Sequence, residues 1–111
     1  MNVAEGLLAL HLRELGLDYS PQYAYAPGRK FRADFAVWRR RRAGQRLGRQ
    51  FALIEVTGGV YTRQSHGSIK GVLADNTRLY HAFRAGWPMI RFTPDQVKSG
   101  EAKRLIAEAM T

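Results

Sequence analysis

The residues best suited to chemistry in this chain are two acids that lie inside apolar runs. Glu55 lies in the run 51–56, and Asp34 lies in the run 31–38. Both runs predict buried strands, where an ionised carboxylate is costly unless something compensates its charge. Carboxylates on one face of neighbouring strands lie about 4.8 Å apart, and Mg²⁺ prefers one or two carboxylates with waters and phosphate oxygens. The pair therefore predicts a divalent-cation site.

The same two acids also have a purely structural explanation. Each could lie exposed at a strand end, or each could pair with an arginine that is near in sequence, such as Arg29 or Arg32. Sequence spacing alone leaves both explanations open.

The distribution of charge indicates a polyanionic partner. The chain of 111 residues carries 18 Lys and Arg against 9 Asp and Glu, a net charge of +9. Half of the basic residues lie within 28–49, directly around the Asp34 strand. Arginine binds phosphates through a bidentate fork, so this segment predicts nucleic-acid contacts, with a solvated loop as the alternative. The candidate residues are Arg29, Lys30, Arg32, Arg39, Arg40, Arg41, Arg42, Arg46 and Arg49.

Length and composition restrict the class of protein. The length fits one domain, residues 1–111, with one modest core. The absence of cysteine excludes disulfides and thiolate metal sites. No run reaches the roughly 18 apolar residues of a membrane span, and the first residues lack the pattern of a secretory signal. The sequence therefore predicts a cytoplasmic protein without a membrane partner.

Periodicity and turn signals predict the elements that would position the two acids. Helices are expected over about 3–15 and 68–85 and after Thr93, where the last helix restarts near Ser99, and strands over 19–25, 31–38, 51–56 and 88–93. The apolar face of the helix over 68–85 consists of Ile69, Val72, Leu73, Leu79, Tyr80 and Phe83. The order helix, three strands, helix, strand, helix predicts an α/β fold with a mixed central sheet flanked by helices.

Several motifs follow one another in a characteristic order. Glu5 lies in the first helix, Asp34 in the second strand, and the stretch 55–57 closes the third strand, followed by the stretches 75–78 and 86–92. This order resembles the PD-(D/E)XK nuclease superfamily, especially its small phage and repair nucleases of the very-short-patch-repair and Holliday-junction-resolvase types. The resemblance covers most of the chain.

The resemblance implies a restriction-endonuclease-like core and a Mg²⁺-dependent endonuclease that hydrolyses DNA, with Mn²⁺ able to substitute. It implies that Asp34 and Glu55 hold the cation, with Glu5 and the backbone carbonyl of Val56 as further ligands. Glu5 has a second explanation, because Asn2 and Glu5 also form a capping-box pattern. Branched or structured DNA, a phage-type source and a host-cell location fit the same resemblance, and the limited surface of so small a chain favours a homodimer.

The chain departs from the family pattern at Thr57, which stands where the family has lysine. A hydroxyl can position a water but supplies no charge. The missing group would come from Lys70 or Arg78 of the next helix, or from His66 as a base, although each of these residues also fits a cap or a solvated surface. The alternative function is a non-catalytic nucleic-acid-binding module with a degenerate nuclease fold.

Overall fold

A computed structural model describes residues 2–39, 51–57 and 69–110. The described part of the chain is α/β, with a four-stranded mixed sheet flanked by helices, as predicted. The elements in chain order are α1 Val3–Glu14, β1 Asp18–Ala24, β2 Arg32–Trp38, β3 Phe51–Val56, α2 Ile69–Arg84, β4 Met89–Phe92, α3 Pro94–Lys98 and α4 Glu101–Ala109. In this part of the chain, no helix is both long enough and apolar enough to cross a membrane.

The sheet has the strand order β1-β2-β3-β4, with β3 and β4 parallel and the other neighbours antiparallel. Pro21 lies in the edge strand β1, where a missing N–H is tolerated. Phe35 of β2 pairs with Ile54 of β3, so Asp34 and Glu55 are the next residues along these two neighbouring strands. On the other side of β3, Glu55 pairs in register with Arg91.

The larger core lies between one face of the sheet and the helices α1, α3 and α4. Its fully buried members include Leu8 and Leu12 of α1, Phe35 and Ile54 of the sheet, and Ile106 of α4. This core fixes the position of α1 against the central strands, and therefore the position of Glu5 near β2.

The ends of α1 are set by local hydrogen bonds. Asn2 Oδ1 accepts a hydrogen bond of 2.9 Å from Glu5 N–H at the start of the helix. At the other end Gly16 has φ +72°, a left-handed conformation that favours glycine, and Leu17 N–H donates to the carbonyl of Leu12 at 3.0 Å. The predicted helix is confirmed to within about one residue at each end.

The C-terminal helices also follow the sequence signals. Thr93 and Gln96 form the predicted capping box, with Pro94 in the first turn of α3. Gly100, with φ +87°, separates α3 from α4, so the predicted restart near Ser99 is confirmed.

The apolar face of α2 does not pack against the sheet. Ile69 is 80% exposed and Phe83 is 83% exposed. The other members of that face, Val72, Leu73, Leu79 and Tyr80, are exposed too. The helix instead turns Arg78 towards Glu55 and buries Ala82 in a small second cluster with Leu53. An ion pair and close packing of small residues therefore decide which way α2 faces.

Candidate metal and nucleic-acid site

Asp34 lies half-buried in β2, where three polar groups contact its carboxyl. Its Oδ2 accepts a hydrogen bond of 2.8 Å from the backbone N–H of Val56. The side chains of Glu5 and Gln22 also form hydrogen bonds with it. The structure therefore brings three of the predicted site residues, Glu5, Asp34 and Val56, together at one end of the sheet, although Val56 contacts Asp34 through its N–H and not its carbonyl.

The pKa of the Asp34 carboxyl is raised above its usual range. Burial is the main cause; the hydrogen bond from Val56 lowers the pKa, while the charge of Glu5 and the hydrogen bond with it raise it further. A hydrogen bond from Gln22 acts in the lowering direction but is the smallest contribution. A nearby negative charge disfavours the ionised form of Asp34, and a cation bound beside it would favour that form.

The contact with Asp34 gives Glu5 a role beyond the end of its helix. Asn2 satisfies the backbone N–H of Glu5, as the capping pattern predicts. The Glu5 carboxyl itself reaches across to β2. The structure therefore shows the Asn2 half of the predicted capping box, while the Glu5 carboxyl lies near Asp34.

Gln22 is a site residue that sequence reasoning missed. It has φ +50° inside β1, a left-handed conformation that is uncommon for a residue other than glycine. Its carbonyl accepts a hydrogen bond of 3.2 Å from Arg32 Nη1, and its side chain contacts Asp34. Strained backbone of this kind tends to occur at functional sites. The sequence gives no signal for it, because a glutamine in an edge strand is ordinary.

Glu55 is buried, with 9% of its surface exposed, and two arginines neutralise it. Arg78 Nη2 of α2 donates a hydrogen bond to Glu55 Oε1. Arg91 Nε of β4 lies 3.3 Å from Glu55 Oε2. The sequence correctly offered an ion pair with arginine as an explanation for Glu55, but it suggested Arg29 and Arg32 as the partners. Arg32 is engaged with the carbonyl of Gln22 instead.

The ion pairs extend around Glu55 into a network. Arg91 Nη1 lies 3.7 Å from Asp75 Oδ2 of α2, and Arg78 also donates to the carbonyl of Arg32 at 2.9 Å. Burial acts to lower the pKa of Arg78, but the hydrogen bond to Glu55 and its charge raise it overall. Among the described residues, Nη2 of Arg91 is buried without a hydrogen-bond partner, while its Nε contacts Glu55 through the ion pair alone.

Thr57 has a structural role at the end of β3. Its backbone N–H and its hydroxyl both donate to the carbonyl of Phe92, at 2.8 Å and 3.2 Å. The hydroxyl proton is therefore committed to the β3–β4 junction, and only its lone pairs are left for a water. Of the basic residues that the sequence analysis offered in place of the missing lysine, Arg78 is the one that the described contacts place beside Glu55.

Several predicted residues lie outside the described part of the chain. These are His66, Arg40, Arg41, Arg42, Arg46, Arg49 and the side chain of Lys70, although the backbone of Lys70 belongs to α2. Arg39 is half-buried, whereas Arg29, Lys30 and Arg32 are exposed.

Arg29 lines an open groove of about 610 Å³ on the α2 side of the sheet. Arg84 and His81 of α2 line the same groove, and its wall includes Tyr25, which is 4% exposed, and the half-buried Trp87. The arginine side chains suit a phosphate group. Arg84 could not be assigned from the sequence, because its neighbour Arg29 lies more than fifty residues away in the chain.

The carboxyl groups form a pair rather than a larger cluster. Within residues 2–39, 51–57 and 69–110, no group of three or more His, Asp or Glu side chains is arranged to hold a metal ion. Comparison of the chain with family models, with curated proteins and with solved structures gave no match. The function is therefore argued from the geometry of this site.

Proposed function

We propose that this chain is a divalent-cation-dependent endonuclease with a restriction-endonuclease-like core, acting on DNA and preferring branched or structured forms. The observation that carries the proposal is the position of the Asp34 carboxyl, which accepts a hydrogen bond of 2.8 Å from Val56 N–H at the end of β3 and lies near enough to Glu5 for that acid to raise its pKa. Residues of α1, β2 and β3 therefore converge there.

The carboxyl pair fits a Mg²⁺ ion. Magnesium is held in many phosphoryl-transfer sites by one or two carboxylates, with waters and substrate oxygens completing the shell. Glu5 and Asp34 would be its ligands, and the cation would offset the repulsion between the two carboxylates. When bound, such an ion lowers the pKa of a coordinated water and neutralises charge on the phosphate.

The arginines beside Glu55 would act on the substrate. Glu55 holds Arg78 and Arg91 in place, and their positive charge exceeds the single negative charge of Glu55, so the pair would attract a phosphate near the strand end. Arg78 supplies a fixed positive charge next to the strand end, which Thr57 cannot supply. In this arrangement Glu55 is a positioning residue, and its predicted role as a metal ligand stays a prediction.

The direct test is cleavage of DNA by the purified chain. A linear duplex, a nicked duplex and a four-way junction would be incubated with Mg²⁺, Mn²⁺ or a chelator. We expect phosphodiester cleavage in either cation, fastest on the junction, and none in the chelator. Cleavage that survives chelation would contradict the cation dependence.

A non-catalytic nucleic-acid-binding module is the second candidate. Two contacts favour it: Glu55 is already neutralised by arginines, and the Thr57 hydroxyl is committed to the carbonyl of Phe92. Glu55 and Thr57, two residues of the motif that resembles the family, therefore already have structural roles. Salt-dependent binding of all three DNA substrates without cleavage in either cation would select this candidate over the first.

The groove lined by Arg29 and Arg84 provides a prediction that both candidates share. Replacing both residues with alanine should weaken DNA binding and reduce the slope of log Kd against log salt by about 0.9 for each duplex phosphate that is no longer bound. Dissociation constants measured between roughly 50 and 200 mM salt would give the slope. The control is Arg104→Ala, since Arg104 is an exposed arginine of α4 that pairs with Glu108 at 3.3 Å. An unchanged slope in the double variant would mean that the groove is only a solvated surface.

A further inference from the structure

An uncharged apolar stripe runs along the side of α2 that faces away from the sheet. Its residues are spaced three and four apart, so they occupy about 100° of the helix surface, with Leu79 at the margin. The stripe consists of Ile69, Val72, Leu73, Asn76, Leu79, Tyr80 and Phe83, all of which are exposed. This is the reverse of an ordinary surface helix, in which the apolar side faces the core.

The area of this stripe approaches that of a protein interface. A large side chain presents on the order of 200 Å², so the exposed fractions amount to roughly 700 Å² per copy. The largest apolar patch on a typical monomer is about 300–600 Å². A specific interface of standard size buries about 800 Å² on each partner. The stripe is therefore large enough to form the centre of a stable interface.

The order of residues along the stripe is symmetric about Asn76. Ile69 and Phe83 lie equally far from it on opposite sides, and the same holds for Val72 with Tyr80 and for Leu73 with Leu79. Two antiparallel copies of α2 with a two-fold axis at Asn76 would therefore bring each residue against its counterpart. The aliphatic N-terminal half would meet the aromatic C-terminal half, and the two central Leu pairs would flank the axis.

This symmetry matters because a two-fold dimer uses the same patch on both copies and needs the patch to complement itself. In coiled coils a single asparagine in the apolar seam specifies the register, and Asn76 on the two-fold axis would face its own copy in the same way. The stripe itself carries no Lys, Arg, His, Asp or Glu, so the centre of the interface would be uncharged, with Arg84 beside Tyr80 at its edge. A second copy of the chain meets all of these requirements.

We infer that this chain forms a two-fold homodimer through antiparallel packing of α2 against α2 of a second copy. The inference does not depend on nuclease activity, because it rests on the exposed stripe and its symmetric spacing. Repulsion between two copies of this net charge is screened by salt. Dimerisation should therefore strengthen with ionic strength, whereas DNA binding weakens.

The first test is the mass of the chain in solution, measured by sedimentation equilibrium over a series of concentrations. Leu73→Glu should weaken the dimer by more than roughly tenfold, because it places charge in the apolar interface. Leu10→Glu is the matched control: Leu10 of α1 is 47% exposed and Leu73 is 59% exposed, but Leu10 lies off the stripe. We expect the wild type and the Leu10→Glu variant to dimerise with the same affinity.

Other occupants of the stripe would give different results, and each would overturn the inference. A monomeric wild type that Leu73→Glu destabilises more than Leu10→Glu does would show that the chain covers its own stripe. If the wild type is monomeric and the two substitutions destabilise it equally, the stripe would instead bind a different protein. A dimer that Leu73→Glu does not weaken would show an interface elsewhere.

The second test addresses the register. Since the chain has no cysteine, Asn76→Cys introduces a single thiol on the proposed axis, which should oxidise rapidly to a cross-linked dimer. Thr77→Cys, one position around the helix, should cross-link much more slowly. The double variant Leu73→Glu/Leu79→Lys places opposite charges across the axis and should restore the dimer that Leu73→Glu alone weakens. A dimer without fast cross-linking at position 76, or without this recovery, would contradict the antiparallel register.

Discussion

Replacing Asp34 with asparagine is expected to reduce Mg²⁺-dependent DNA cleavage by roughly a thousandfold while leaving the protein folded. The reason is that the variant keeps the shape of the side chain but removes one of the two anionic groups that would bind the cation. Glu5→Gln should have a similar but smaller effect, since it removes the other member of the pair. Single-turnover cleavage of a junction substrate measures both.

A matched control lies on the same helix as Glu5. Glu14 of α1 is a partly exposed acid whose Oε1 lies 3.5 Å from Lys103 Nζ, and it is remote from β2. Glu14→Gln should cleave at the wild-type rate. Cleavage by Asp34→Asn at the same rate would contradict the assignment of the carboxyl pair.

The stability of the Asp34→Asn variant should change in the opposite direction to its activity. Because the pKa of Asp34 is raised in the folded state, the folded chain binds more protons than the unfolded chain in the window between the unfolded and folded pKa values. Stability contributed by this group is therefore lost as pH rises through that window. Without a cation at neutral pH, Asp34→Asn should be at least as stable as the wild type.

Thermal unfolding with and without Mg²⁺ separates these effects. Mg²⁺ should raise the Tm of the wild type at neutral pH, since a ligand that binds only the folded state stabilises it. The increase should shrink at acidic pH, where protons compete for the carboxyl pair, and it should be absent in Asp34→Asn. These measurements do not require catalysis, so they test the cation site even if the chain cleaves nothing.

The sequence predicted the parts of the fold that depend on local signals. The helix capped by Asn2, the capping box at Thr93 and the apolar run around Asp34 are each encoded within a few residues. The mixed sheet followed from the order of the elements. Asp34 was correctly placed on a strand, because the apolar run around it predicts one.

The partners of the site residues could not be predicted in the same way. Arg91 reaches Glu55 because β4 joins β3 in parallel register, and strand order is a property of the whole sheet. Glu5 reaches Asp34 because α1 packs on the larger core, at a separation of about thirty residues in the chain. Contacts of this kind depend on tertiary packing, which a single sequence does not reveal.

The orientation of α2 shows where an amphipathic pattern misleads. Its apolar face normally predicts the buried side of a helix. Here the charged contact of Arg78 with Glu55 and the small Ala82 occupy the sheet side. Periodicity correctly identified the residues of the apolar stripe, but it could not show whether the stripe packs against the sheet or lies exposed.

Replacing Glu55 with glutamine is expected to lower the free energy of unfolding by about 2–3 kcal/mol, the opposite sign to Asp34→Asn. Removing one member of a buried ion pair typically costs about 3–5 kcal/mol because the remaining charge stays unpaired. The value is lower here because the side chains of Arg78 and Arg91 are 28% and 25% exposed and water screens them in part. Denaturant unfolding at a fixed protein concentration measures the difference.

The matched control for Glu55 is Glu108→Gln, which removes an exposed ion pair of α4 with Arg104 and should cost less than about 0.5 kcal/mol. The double variant Glu55→Gln/Arg91→Met should recover part of the missing stability, since it removes one of the unpaired charges. If Glu55→Gln instead stabilised the protein, the two arginines would not be paired with Glu55 in solution. Glu55 would then join Asp34 as an uncompensated acid, and the cation would bind between the two strands, where the sequence first placed it.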